Sequence, residues 1–210
     1  MPWIVEYRNE EGLNAISHGI GAIVSIIGIF FLLSKNTNKT EYAVVSIVIY
    51  GVSLVSMFLV STAYHATKNT GLKKKLRVLD HINIYFLIAG TYTPITLITL
   101  VNGKRWTIFY SLWAIVIIGA IFKLFYTGKN EFVSLLLYVA MGWLIVLDFR
   151  NLIDCTPVLG VRLLFLGGAF YTFGILFYAS ERIPYNHFVW HVFVLCGAFC
   201  HWSIIYMNVV

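Results

Sequence analysis

Seven stretches of this chain, Gly12 to Ser34, Tyr42 to Thr67, His81 to Gly103, Trp106 to Phe122, Phe132 to Leu147, Leu163 to Ser180 and Ile183 to Val210, contain no Asp, Glu, Lys or Arg. About 20 apolar residues cross the roughly 30 Å hydrocarbon core of a bilayer as a helix, so the runs predict seven crossings joined by short loops. The fourth and fifth runs are short for this, and reduced tilt or a flanking side chain such as Lys123 reaching toward the interface is expected to make up the length. The runs lack the period-two alternation of membrane strands, which argues against a closed barrel. Helices are then the way to satisfy the backbone in lipid. The predicted fold is all-α: a polytopic membrane protein of seven transmembrane helices forming one domain over residues 1–210.

Composition agrees with the patterning. Hydrophobic residues make up 60% of the chain and charged residues 11%, with a mean hydropathy of +0.82, whereas soluble domains carry about a quarter charged residues. A net charge of +6 could suggest nucleic acid, but the basic residues lie between the apolar runs and form no basic face, so no nucleic-acid partner is expected. Cys155, Cys196 and Cys200 form neither a disulfide framework nor a CxxC metal module. Glu6, Glu10 and Glu11 precede the first run in place of a basic segment, so that run is expected to be a retained helix and not a cleaved signal peptide.

Loop charge predicts orientation. With the N-terminus in the cytoplasm, Arg8, Lys68, Lys73, Lys74, Lys75, Arg77, Lys123, Lys129 and Arg182 lie inside, nine of the 15 Lys and Arg. Lys35, Lys39, Lys104, Arg105, Arg150 and Arg162 lie outside. Most of the excess comes from the Lys68 to Arg77 segment, and retention of such segments in the cytoplasm sets topology. Pro94 is expected to kink the third span, Gly167 and Gly168 to let the sixth approach a neighbour, and Pro157 to mark a turn.

Metal-binding or ionisable side chains inside a bilayer are costly unless partnered, and so point to function. Glu11, Asn14 and His18 are spaced i, i+3, i+7 at the start of the first span, on one helix face. Ser61 and His65 are spaced i, i+4 near the end of the second, Asp80 opens the third, and His187 and His191 are spaced i, i+4 at the start of the seventh. In the predicted topology all these groups lie at one depth, near the cytoplasmic leaflet. Alternating helices could have scattered them across both leaflets, and a shared depth is what a single site requires.

His65, His187 and His191 would give Zn²⁺ three nitrogen ligands and leave a fourth position for water, the pattern of a catalytic site. Asp80 could hold that water or orient a ligand imidazole. Ser61 could donate to a developing oxyanion or to the water. Other polar residues read as structural. His201 lies about 15 Å deeper than His191 and is expected to be an interhelical hydrogen-bond partner. His81 points about 100° away from Asp80 and is expected at the interface. Cys196 and Cys200 are expected to act as small hydrophobes.

Together these motifs, Glu11-Gly12-Leu13-Asn14-Ala15-Ile16-Ser17-His18, Ser61-Thr62-Ala63-Tyr64-His65, Leu79-Asp80-His81 running into Ala89-Gly90-Thr91-Tyr92-Thr93-Pro94, and Asn186-His187-Phe188-Val189-Trp190-His191, resemble the hemolysin III family. That family is the bacterial branch of the progestin and adipoQ receptor group, which is related to alkaline ceramidases. The resemblance runs from Glu11 to the end of the seventh span. It implies a seven-helix protein of the bacterial cell membrane with a cytoplasmic N-terminus and a zinc ion near the inner leaflet bound by His65, His187 and His191. It also implies that Ser61 and Asp80 attend the zinc-bound water, and, from the hemolysin label, a cytolytic role.

Three functions are weighed. A zinc-dependent hydrolase of a lipid amide or ester bond needs an open fourth metal position. A sensor or regulator of membrane state would use zinc structurally and respond to bound lipid. A pore or cytolysin would show a charged ring or a polar stripe along a whole helix, whereas the polar residues here gather at one end. The hydrolase, with membrane lipid as substrate, is the expected function, and the regulator or hemolysin its alternative.

Overall fold

In a computed structural model of the chain, residues 2–180 and 182–210 are described, with side chains from Glu10 onward. The side chains of Glu6 and Arg8, used above for N-terminal charge, lie outside that description. The described residues contain no strand. The helices are α1 (Pro2–Lys35), α2 (Ala43–Ala66), α3 (Thr70–Pro94), α4 (Arg105–Tyr126), α5 (Glu131–Gly142), α6 (Phe149–Cys155), α7 (Val158–Tyr178) and α8 (Asn186–Ile204). A 3₁₀ turn, Leu144–Asp148, joins α5 to α6, and wider π-helical turns extend α3 over Ile95–Thr99 and α8 over Ile205–Val209. Among the described residues, seven helical stretches are long and apolar enough to cross a membrane, the fifth being Glu131–Cys155.

The helices outrun their uncharged cores. Asn69 caps α3, its Oδ1 accepting from the Leu72 N–H at 2.9 Å, so Lys73 to Arg77, expected in a loop, form helical turns ahead of Asp80. Lys and Leu are good helix formers, and the cap supplies the start signal. The fifth span gains length by continuing past Asp148 into α6. Pro94 stands where α3 gives way to its π-helical turn. Proline cannot donate to the carbonyl four residues back, which loosens the helical pattern at this point.

The third span lies at the centre. It is the least apolar of the seven, with a hydropathy of 1.3, yet 72% of its apolar window is buried, against 22% in the fifth and sixth. Helix α3 packs on α2 and α4, α1 on α2 and α8, and α7 on α8. The outer surface is apolar, with Ile16, Ile23, Phe30, Ile117, Phe125 and Leu176 exposed as lipid-facing side chains. Two threonine hydroxyls of α3 bond to their own helix, Thr91 Oγ1 to Leu87 O at 2.8 Å and Thr93 Oγ1 to Ala89 O at 2.8 Å. That satisfies them where no water is present.

Three expectations need correction. Lys123 does not reach outward: it is fully buried and pairs with Glu131 at 2.6 Å. His81 is buried too, its Nδ1 3.6 Å from the same carboxylate and its backbone oxygen accepting from Tyr138 Oη at 3.0 Å. The α4–α5 hairpin folds over this face of α3 and supplies both partners. Gly167 does meet a neighbour, since a Cβ there would strike His201, but one at Gly168 would touch nothing. His201 bonds from α8 to Leu164 O of α7 at 3.1 Å, as expected of an interhelical partner.

Candidate metal centre

At one end of the bundle α2 finishes while α3, α8 and the first span begin, and there the polar residues meet. His65 sits in the last turn of α2, and His187 and His191 occupy successive turns at the start of α8. One donor atom from each of the three lies within 4.8 Å of the other two. His65 and His191 are buried and His187 half-buried. This cluster could hold a metal ion.

The donor chemistry fits one. His65 Nε2 is buried with no hydrogen-bond partner, an arrangement that a buried polar atom rarely tolerates unless something binds it. His65 Nδ1 is engaged instead, 3.2 Å from Glu11 Oε2. Ser61 Oγ, one turn before His65, and Asp80 Oδ1 are likewise buried without partners. The Asp80 carboxylate lies beside Ser61 and within electrostatic reach of His65. The site therefore holds a ligand nitrogen, a hydroxyl and a carboxylate oxygen with unused bonding capacity.

The family described as Haemolysin-III related matches residues 6–202. The chain belongs to the hemolysin III family. Hemolysin-3 of Bacillus cereus is 41% identical over 199 residues, covering 94% of this chain and 91% of its own length. The Hemolysin-3 homolog of Bacillus subtilis (strain 168) is 38% identical over 190 residues, 90% of this chain and 89% of its own. More distant is the monocyte to macrophage differentiation factor of Homo sapiens, 30% identical over 211 residues, covering 94% of this chain and 83% of its own length. No solved structure matches the chain. As a hemolysin III protein with seven spanning helices, it is a multi-pass protein of the cell membrane.

Around the histidines of this family member, α1 forms a second layer. Glu11 Oε2 also accepts from Lys73 Nζ at 2.6 Å, so one carboxylate joins α1, α2 and α3. Ser17 Oγ lies 3.3 Å from His191 Nδ1. The His18 ring stacks on that of His191, and Glu10 Oε1 accepts from the backbone N–H of His187 at 2.9 Å and of Phe188 at 3.3 Å. Glu10 thereby caps the start of α8, where free N–H groups favour an anion. Asn14 and His18 are buried here, Asn14 Oδ1 and both His18 nitrogens without partners.

Glu10, Ser17 and Lys73 were not singled out as site residues in the sequence. Glu10 and Lys73 read as charges flanking a span. Ser17 carried one signal, its i, i+3 spacing from Asn14 beside His18.

One turn deeper the surroundings become apolar. A cavity of about 90 Å³ lies between α2, α3, α5, α7 and α8. Met57 in its wall is one turn from Ser61, Ile84 one turn from Asp80, and Trp190 and Val194 flank His191. The cavity wall thus includes residues within one helical turn of Ser61, Asp80 and His191.

Proposed function

We propose that this hemolysin III protein is a zinc-dependent hydrolase of amide or ester bonds in membrane lipids, working near the cytoplasmic leaflet. One observation carries the reading: three histidine donors lie within 4.8 Å of one another, beside a buried hydroxyl and a buried carboxylate oxygen that nothing in the protein satisfies. Three ligands leave a coordination position free, as hydrolytic zinc sites require. Bound to His65, His187 and His191, zinc would supply a Lewis acid and lower the pKa of a coordinated water to about 7.

The chain's own groups account for the rest. Asp80 takes the proton that water gives up as its oxygen bonds to the acyl carbon, and returns it to the leaving nitrogen or oxygen as that bond breaks. Ser61 Oγ donates a hydrogen bond to the carbonyl oxygen as it gains charge. The apolar cavity below takes part of the acyl chain and excludes water from the reacting bond.

Zinc content and fatty-acid release from a panel of amide and ester lipids, measured on the same preparations, test this. Wild-type protein should hold one zinc and release fatty acid. Asp80→Ala and Ser61→Ala should keep the zinc and lose turnover about 100-fold or more. His187→Ala should lose both. A fourth protein ligand on the metal, or zinc-loaded wild type inert toward the whole panel, would count against the hydrolase.

A second reading, a non-enzymatic membrane regulator or cytolytic protein, draws on the name Hemolysin-3 of the Bacillus cereus relative and on the helices involved. The three donors come from α2 and α8, which bracket α1, so a metal there would clamp the bundle. In that case His187→Ala lowers the melting temperature, and Asp80→Ala causes no separate loss.

A further inference from the structure

The first helix contributes none of the three histidines, yet it touches all of them. Ser17 has a single proton, and it is committed: the hydroxyl donates to the backbone oxygen of Asn14 at 3.0 Å. With that proton directed at the carbonyl, its shorter contact, Ser17 Oγ accepts from His191 Nδ1, 3.3 Å away, and Nδ1 carries the hydrogen.

A parallel count applies to His65. Glu11 Oε2 sits 2.6 Å from the Lys73 ammonium and 3.2 Å from His65 Nδ1. A carboxylate paired with an ammonium is ionised and only accepts, so His65 Nδ1 is a donor as well. The nitrogen left over, His65 Nε2, is the one that is buried without a partner. Two independent acceptors on one helix thus impose the same tautomer on two histidines of two other helices.

We infer that Glu11 and Ser17 of the first helix are positioning residues that fix His65 and His191 as Nδ1–H tautomers, presenting both Nε2 lone pairs to the metal. The inference rests on the metal reading above for its consequence, not for the tautomers themselves. A neutral imidazole has two tautomers, and only one exposes Nε2 as a ligand. Partners that fix a ligand imidazole in this way are commonly worth about 10- to 100-fold in metal affinity.

Long-range proton–nitrogen NMR on metal-free, ¹⁵N-histidine-labelled protein in detergent, with His65→Gln and His191→Gln spectra to assign the signals, reads the tautomers directly. Wild type should show Nδ1–H at both rings. Ser17→Ala should shift His191 toward the other tautomer and leave His65 unchanged; Glu11→Ala should do the reverse. Zinc competition against a chelator should show about 10- to 100-fold weaker binding in each variant, and Ser17→Thr, which keeps an acceptor oxygen, should restore it. Gel filtration of each variant separates a local effect from misfolding. An Nε2–H form at either ring in the wild type would overturn the inference, as would variants that keep wild-type tautomers and zinc affinity. If the wild type binds no zinc, the metal reading fails, and the tautomers of the metal-free protein still decide this inference.

Discussion

The imidazole of His18 lies face to face with that of His191, centroids 3.5 Å apart and planes 4° from parallel. Its edge meets Phe58 at 5.0 Å, and the ring is fully buried. His18 therefore fills the space between a candidate metal ligand and the second helix. His18→Ala should open a void there and lower stability by about 2 kcal/mol, read as a lower melting temperature in detergent. His18→Phe, which keeps a flat ring against His191, should recover most of it. Equal melting temperatures for wild type and His18→Ala would mean that the stack carries no packing energy.

Orientation gives a second expectation. Lys68 to Arg77 flanks the candidate metal centre, and most of the Lys and Arg excess lies in that segment. Reporter fusions should place it and the N-terminus in the cytoplasm and Val210 outside. A C-terminal fusion active only in the cytoplasm would invert the topology and move the histidine cluster to the outer leaflet.

Lys123 and Glu131 form a third case. The lysine side chain is wholly buried and the glutamate 28% exposed, so Glu131→Leu leaves an ammonium in the bundle with its carboxylate gone. The expected cost is about 3 kcal/mol. Adding Lys123→Met should recover at least half of it, since the buried ammonium goes with the carboxylate and the losses that remain are the contacts of Glu131 with His81 Nδ1 and the Gly128 N–H. A double variant no more stable than Glu131→Leu alone would show that the pair is held by more than its own charges.

Neighbouring glycines on α7 should respond in opposite ways. Gly167→Ala drives a methyl group against His201 and toward the Gly197 backbone oxygen at 3.2 Å. Forcing α7 and α8 apart should cost about 1–3 kcal/mol. Gly168→Ala meets no atom within 4 Å and should be neutral or slightly stabilising, because alanine favours the helix by up to about 1 kcal/mol. Melting temperatures of the two variants in one detergent make the comparison.

The seven spans were legible in the sequence because lipid imposes a local requirement, a run of apolar residues long enough to cross, that each helix meets on its own. The meeting of His65, His187 and His191 was legible for a related reason: the i, i+4 spacing of the α8 pair fixes one face, and chain direction fixes the depth of each group. What surrounds that site was not. Whether Lys123 snorkels or is buried, whether His81 faces the interface or Glu131, and that Ser17 rather than a neighbour meets His191 all depend on how helices rotate and pack against one another. Between helices in lipid, packing and hydrogen bonds decide, not burial from water. Such contacts join residues far apart in the chain, as Ser17 and His191 are, and no periodicity along a single helix encodes them.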